Sequence, residues 1–284
     1  MIEQIMVAGS GVMGRGIAYV AAAGGFRVVL ADVKKEALES AEKEINLIFQ
    51  KAVSRNIMTE EQAASAKDRL QYTASLEDGA KRADLIIEAV PEKKEIKQAV
   101  FEILDAHAPE HCFFATNTST MSPTEIGSFT KRPQNVIAMH FFNPVHKMPL
   151  IEIIRGLETS DETAEAIKEA ARKMKKETVV INEFPGFVTS RISALVGNEA
   201  FYMLQEGVGS AKEIDKAIRL GLNYPMGPFE LGDLVGLDTR LNNLNYLHET
   251  LGEKYRPAPL LVQYVKAGRL GRKSGKGVYD YPEK

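Results

Sequence analysis

Short aliphatic runs recur along this chain, and the segments between them carry apolar residues at helical spacing. Ile5-Met6-Val7-Ala8, Val28-Val29-Leu30-Ala31, Asp84-Leu85-Ile86-Ile87-Glu88-Ala89-Val90 and Cys112-Phe113-Phe114-Ala115 read as short buried strands. Val136-Ile137-Ala138-Met139, Leu150-Ile151-Glu152-Ile153-Ile154 and Thr178-Val179-Val180-Ile181 read the same way, and Leu70 to Thr73 is a further candidate. Helices are expected after the first strand (Ile17 to Ala23), over about 34–55, from Thr59 to Arg69, over 92–107 and over 161–175. Two starts are marked by their chemistry. Thr59-Glu60-Glu61-Gln62 is a capping box, and Ser122-Pro123-Thr124-Glu125 offers a cap, a proline at the first helical position and an acid in the first turn.

Two helices between the second and third strands exceed what one crossover requires, so 34–69 is expected to form a hairpin that projects from the sheet. The strand pattern stops at Asn182-Glu183-Phe184-Pro185-Gly186. Beyond it the chain reads as helices over 187–206, 211–221, 228–250 and 258–268, with Ser210 and Glu213 capping the second. An α/β domain over residues 1–183 followed by a smaller all-α domain over 184–284 is the expected organisation.

The first strand runs into Gly9-Ser10-Gly11-Val12-Met13-Gly14, which matches G-x-G-x-x-G. Gly9 permits a tight strand-to-helix turn, Gly11 leaves room for a pyrophosphate, and Gly14 lets the helix pack close to the strand. The helix start offers N–H groups to phosphate oxygens. Asp32 closes the second strand, where a carboxylate can bond a ribose 2′-hydroxyl and repel a 2′-phosphate. Strand, glycine turn, helix and acid together predict a Rossmann-type dinucleotide site with NAD preferred over NADP.

Composition narrows the partners. With 284 residues, 44% hydrophobic, 26% charged and a formal net charge of −2, the chain suits a globular enzyme and shows no global nucleic-acid or anionic-membrane surface. No apolar run approaches a membrane span, and the first strand begins within five residues of Met1, so a cytoplasmic protein without a leader is expected. The single Cys112 excludes an internal disulfide and a cysteine metal cluster, and no metal is expected; packing is its expected role.

Met139-His140-Phe141-Phe142-Asn143-Pro144 places a histidine at the end of a buried strand. Twelve residues on, Glu152 is flanked by aliphatics and is costly to bury without a partner. A His140–Glu152 pair would leave the second ring nitrogen for proton transfer. The residues alone are equally compatible with a structural ion pair.

Taken together these motifs resemble the short-chain L-3-hydroxyacyl-CoA dehydrogenases, closest to the bacterial 3-hydroxybutyryl-CoA dehydrogenases. The resemblance spans essentially the whole chain. It rests on Gly9-x-Gly11-x-x-Gly14 with Asp32, Glu88-Ala89-Val90-Pro91-Glu92, Thr116-Asn117-Thr118-Ser119, His140-Phe141-Phe142-Asn143-Pro144, Pro185-Gly186-Phe187 and Gly227-Pro228-Phe229. It implies His140 as catalytic base, Glu152 as its partner, and Ser119 and Asn143 at the substrate oxygen. It implies NAD contacts from Gly9, Gly11, Val12, Met13, Gly14, Asp32, Glu92, Lys97, Ser119, Asn143 and Lys273. The helical hairpin makes Lys51 and Arg55 candidates for coenzyme A phosphates, with a solvated helix face as their alternative reading. An acyl-CoA substrate and a homodimer follow from the same resemblance, with Tyr202, Met203, Leu241, Leu244, Tyr246 and Leu247 as the expected dimer surface.

One position departs from the pattern. Where the family commonly has Pro-Gly-Phe-x-x-Asn-Arg, this chain has Pro185-Gly186-Phe187-Val188-Thr189-Ser190-Arg191. Ser190 is shorter than Asn and lacks the amide, and Asn198, two turns on, is a possible substitute near the substrate. Three rival readings remain open at this stage. Dehydrogenases of free 3-hydroxy acids use a catalytic lysine in their helical part, dehydrogenases of sugar acids share the two-domain plan, and a dinucleotide-binding regulator would keep the fold without turnover.

Overall fold

The computed structural model describes residues 1–281. Contacts divide the chain into two units, Met1–Glu183 and one beginning at Phe184.

The first unit is built on an eight-stranded sheet. In chain order its elements are β1 (Gln4–Ala8), α1 (Val12–Ala23), β2 (Arg27–Ala31), α2 (Lys35–Ser54), α3 (Glu60–Asp68), β3 (Leu70–Thr73), α4 (Leu76–Ala80), β4 (Leu85–Glu88) and α5 (Lys94–His107). They continue as β5 (Phe113–Thr116), α6 (Pro123–Gly127), β6 (Val136–Phe141), β7 (Leu150–Arg155), α7 (Asp161–Lys173) and β8 (Glu177–Asn182). The strand order is β3-β2-β1-β4-β5-β6-β7-β8. Every neighbouring pair is parallel except β6 with β7. The first six strands thus follow the doubly wound order 3-2-1-4-5-6, whose reversal between β1 and β4 opens a crevice at the strand ends.

Alternation within the strands shows why they are aliphatic on both faces. Ile5 and Val7 of β1 pack with Ile17 and Ile87 in one core, while Met6 and Ala8 pack with Ile86 and Phe101 in the other. A parallel sheet covered on both sides requires this. Cys112 lies in the second core, fully buried, and burial pushes its thiol up to about 12, so it stays an unreactive thiol at neutral pH.

The α2–α3 hairpin forms as expected, with the Thr59–Gln62 capping box present. Its inner face does not stand off from the sheet layer: Leu38, Ala41, Ile45, Phe49, Ala63 and Ala66 join the core that contains α1. Phe49 meets Tyr19 of α1 at 4.6 Å between ring centroids.

The second unit contains α8 (Thr189–Gln205), α9 (Ala211–Gly221), α10 (Pro228–Val235), α11 (Leu237–Leu251) and α12 (Pro259–Lys266). The single helix expected over 228–250 is two, broken at Gly236, whose φ of 108° lies outside the helical range. Asp215 explains why α10 starts where it does: its carboxylate accepts the backbone N–H groups of Phe229 at 2.9 Å and Glu230 at 3.1 Å. Asp233 in the same helix accepts the N–H groups of Val278 and Tyr279, each at 2.9 Å, and so ties the last described segment to the bundle.

Two expectations for this unit are corrected. Leu244 and Leu247 are core residues, 0% and 1% exposed, and Tyr202, Met203 and Tyr246 pack against that core. Asn198 is buried, and both ends of its amide hold the chain at 256–258: Nδ2 donates to the Arg256 carbonyl and Oδ1 accepts from Ala258 N–H, each at 2.8 Å. His107 and His111 stand four apart in sequence, but α5 ends at His107. The His107 ring bonds the Ile103 carbonyl and His111 pairs with Asp84. Among the described residues no three His, Cys, Asp or Glu side chains are grouped to hold a metal, and no helix is long and apolar enough to cross a membrane.

Candidate active site

The turn after β1 is shaped by its glycines. A Cβ at Gly9, where φ is 102°, would lie 2.7 Å from the Ala89 carbonyl oxygen at the end of β4. A Cβ at Gly14 would lie 1.7 Å from the Gly9 carbonyl oxygen, so only glycine allows α1 to approach the turn this closely. Gly11 faces open space, with nothing within 4 Å of where its Cβ would be, and no side chain caps the start of α1. Uncapped N–H groups behind an open glycine fit a dinucleotide pyrophosphate. Val12 is exposed at that helix start, and Met13 packs inward on the core.

Asp32 follows β2 and is already engaged with this turn. Its Oδ2 accepts from Ser10 N–H and Ser10 Oγ, each at 2.8 Å, and its Oδ1 accepts from Lys34 N–H at 3.0 Å. A carboxylate has lone pairs left for a ribose hydroxyl after three such bonds. The acid therefore fixes the glycine turn as well as standing where a ribose would be read. Ser10 was not legible as part of the site, because only the fold brings β1 and β2 side by side.

A second layer of charge lies at the ends of β4 and β5. Glu88, 0% exposed, accepts from Lys97 Nζ on both oxygens at 2.7 Å, from Val90 N–H at 2.7 Å and from Thr116 Oγ1 at 2.6 Å. Lys97 is buried and also meets Glu92 at 3.1 Å. Glu92, which is exposed, bonds the Thr118 hydroxyl. Thr118 Oγ1 in turn accepts from Met121 N–H at 2.8 Å, so the loop bearing the half-buried Ser119 is tied to the buried pair. Lys97 is thus held between two carboxylates, and its bearing on a cofactor would run through Glu92. Breaking such a buried pair by removing one partner costs about 3–5 kcal/mol, which makes this chain of contacts a rigid support.

His140 lies near the end of β6, directly opposite Glu152 in the antiparallel register with β7. Opposed residues share a face of the sheet, so the two side chains meet. Nδ1 of His140 and Oε2 of Glu152 are 2.8 Å apart. Glu152 is 0% exposed and His140 8%. With Glu152 ionised the carboxylate can only accept, which puts the proton on Nδ1 and the lone pair on Nε2. The Phe142 ring packs on the imidazole at 4.6 Å, and Asn117 Oδ1 accepts from Phe141 N–H at 2.9 Å, pinning the strand end beside the loop of Ser119.

Asn143 is exposed just beyond β6 and lines a cleft of about 690 Å³ in this unit. The same cleft gathers Lys51 and Arg55 from the end of α2, Arg15 from α1, and His146 and Lys147 from the β6–β7 loop. His146 feels this field. Desolvation lowers its pKa first, and Lys147, Lys176, Lys51 and Arg55 lower it further. The cleft is a basic pocket suited to phosphates, assembled from residues that are far apart in sequence. Arg15, His146 and Lys147 carried no signal for it.

Two candidates lie in the second unit. Ser190 is in the first turn of α8 and half-buried. Lys273 is exposed, and its ammonium donates to Asp238 Oδ2 at 2.7 Å.

Residues 4–184 match the family model for the 3-hydroxyacyl-CoA dehydrogenase NAD binding domain, and residues 186–281 match that for the 3-hydroxyacyl-CoA dehydrogenase C-terminal domain. The chain is 48% identical to a probable 3-hydroxybutyryl-CoA dehydrogenase of Bacillus subtilis, over 100% of this chain and 99% of that one. It is 46% identical to the 3-hydroxybutyryl-CoA dehydrogenase of Bradyrhizobium diazoefficiens, over 99% and 96%. The crystal structure of an (S)-3-hydroxybutyryl-CoA dehydrogenase from Ralstonia eutropha superposes with a TM-score of 0.96 at 38% identity, covering 100% of both chains.

Asp32 generates the first prediction. Asp32→Ala removes both the charge that repels a 2′-phosphate and the acceptor that holds Ser10. NADH affinity is expected to fall on the order of tenfold, as for loss of charge-assisted hydrogen bonds, and the preference over NADPH to narrow. Fluorescence titration with both cofactors measures this. Equal or tighter NADPH binding by the unmutated protein would remove Asp32 from that role.

Proposed function

This chain belongs to the 3-hydroxyacyl-CoA dehydrogenase family, and we infer that it interconverts (S)-3-hydroxyacyl-CoA and 3-ketoacyl-CoA with NAD, 3-hydroxybutanoyl-CoA being the expected substrate. The observation that carries the reading is the 2.8 Å contact of His140 Nδ1 with the buried Glu152. Bound NAD supplies the hydride chemistry. In the oxidative direction His140 Nε2 accepts the proton of the 3-hydroxyl, and the Glu152 carboxylate stabilises the imidazolium that results. In the reductive direction the same imidazolium returns the proton to the oxygen. Ser119 and Asn143 hold that oxygen in line.

The basic cleft takes the coenzyme A phosphates, with Lys51 and Arg55 joined by Arg15 and Lys147. Glu92 meets the cofactor with Lys97 supporting it, and Lys273 is kept as a cofactor contact on the family resemblance. Ser190 contributes a hydroxyl near the substrate, in place of the amide that the family resemblance implies. The dyad argues against a non-catalytic dinucleotide-binding regulator. The lysine-dependent hydroxy acid dehydrogenases need no such pair, and the basic cleft favours a phosphate-bearing thioester over a free sugar acid. The reading places the protein in the cytoplasm. Its two domains are 1–183 for NAD binding and 184–284 for the substrate cleft and dimerisation.

Acetoacetyl-CoA, 3-ketoacyl-CoA thioesters from C4 to C16 and a free sugar acid, each assayed with NADH or NAD, test the reading. Turnover of the thioesters, with acetoacetyl-CoA among the best, is expected. Turnover of the sugar acid alone, or of none, would overturn it.

A homodimer is proposed on different grounds from those the sequence offered. Val208, Leu220 and Leu222 are 67%, 74% and 60% exposed near and along α9, and burying them against a second copy would remove them from water. Light scattering at micromolar concentration should give twice the chain mass of 31.3 kDa; a species of that single mass contradicts the proposal.

A further inference from the structure

Inside the C-terminal unit, α8, the loop before α10, and α10 itself enclose a groove of about 320 Å³. Val188, Ile192, Val196, Tyr224, Met226 and Leu231 form its walls, and Arg240 of α11 lies against it. Arg240 is 6% exposed. Its Nη1 donates to Ser193 Oγ at 2.7 Å, and its buried Nε has no hydrogen-bond partner. Among the described residues no carboxylate forms an ion pair with it. Burial pulls the guanidinium down to about 10, which still leaves it charged at neutral pH. A buried cation without a counter-charge is strongly unfavourable, and here it adjoins an open apolar groove of ligand size.

We propose that this groove binds an aliphatic carboxylate, whose carboxylate pairs with Arg240 and whose chain lies along the apolar walls. A guanidinium pairs with a carboxylate through charge-assisted N–H bonds; Nε is sealed from solvent, so the pair forms through the Nη groups, Nη1 being shared with Ser193 Oγ. A neutral apolar ligand would leave the charge uncompensated. A phosphate would lose its hydration against walls that offer no other cation. The carboxylate has two possible sources, a free medium-chain acid or the far end of a dicarboxylic acyl thioester. The second source rests on the acyl-CoA reading above and on Ser190, in the first turn of α8, being near substrate; the first does not.

Isothermal titration with octanoate, with 1-octanol as the uncharged control, tests the site without reference to turnover. The full-length protein is expected to bind octanoate and not octanol. Arg240→Met is expected to weaken octanoate roughly ten- to hundredfold, the loss typical of a charge-assisted pair. Ligand-free Arg240→Met should melt no lower than the unmutated protein, because an uncompensated charge is replaced by an apolar chain of similar length. Ile192→Trp, a change at an exposed wall position that fills the groove and leaves Arg240 intact, should also abolish octanoate binding.

Adipyl-CoA set against butyryl-CoA separates the sources. A preference for adipyl-CoA that Arg240→Met removes assigns the carboxylate to an acyl chain, whereas octanoate binding without that preference assigns it to a free acid. The proposal is overturned if the unmutated protein does not bind octanoate, or if either variant binds it unchanged. It is also overturned if Arg240→Met lowers both Tm and oligomeric mass, since a second copy would then be supplying the counter-charge. Failure of acetoacetyl-CoA turnover would count against the proposed reaction and leave the binding result standing.

Discussion

One antiparallel register, β6 against β7, sets the chemistry of this protein. Every other strand pair in the sheet is parallel, and a parallel neighbour reached by crossover would have no short loop to offer at this end. Reversing the chain at 142–149 places Glu152 opposite His140 and leaves Asn143, His146 and Lys147 on the connecting loop. A shift of the register by one residue would turn Glu152 to the opposite face and away from the imidazole. The aliphatic neighbours Ile151 and Ile153, both 0% exposed, are what make that shift costly. Packing in the core thereby fixes the geometry of the His140–Glu152 pair.

Buried charge is handled in two different ways. Around the dinucleotide turn each buried carboxylate is matched: Glu88 by Lys97 and two hydrogen-bond donors, and Glu152 by His140. Such matching makes the support stiff, because no single contact can be lost without exposing a charge to low dielectric. Among the described residues Arg240 has a hydroxyl from Ser193 and no acid. The contrast between saturated and unsaturated buried charge is what sets the C-terminal groove apart from ordinary packing.

Much of the fold could be read from the sequence because its determinants are local. Strands covered on both faces must be aliphatic throughout, and Gly9 and Gly14 stand where any Cβ would strike a backbone carbonyl. His140 and Glu152 were visible because a carboxylate among four aliphatics demands a partner. The parts that escaped depend on distant contacts. Helix propensity runs through Val235-Gly236-Leu237 without a strong signal, and at the break Leu237 N–H donates to the distant Leu270 carbonyl. Leu244 and Leu247 could not be told from surface residues because α11 is packed on by several helices, so periodicity alone does not name its inner face. Asn198 had the right spacing for a site residue and a structural use. The basic cleft draws on α1, α2 and the β6–β7 loop, which no local window contains.

The assignment of the dyad is tested most directly by His140→Ala, measured for both NADH affinity and turnover of acetoacetyl-CoA, with Glu152→Gln beside it. NADH affinity should stay nearly intact, because the phosphate and ribose contacts are proposed for the turn after β1 and for Asp32. Turnover should fall by roughly two to four orders of magnitude, the range for losing a positioned acid/base group. Glu152→Gln keeps the shape but cannot stabilise an imidazolium, so its rate should also fall steeply. A structural ion pair predicts the reverse: lowered Tm in both variants and normal turnover in whatever stays folded. A folded His140→Ala protein that turns over acetoacetyl-CoA at a near-normal rate would contradict the mechanism.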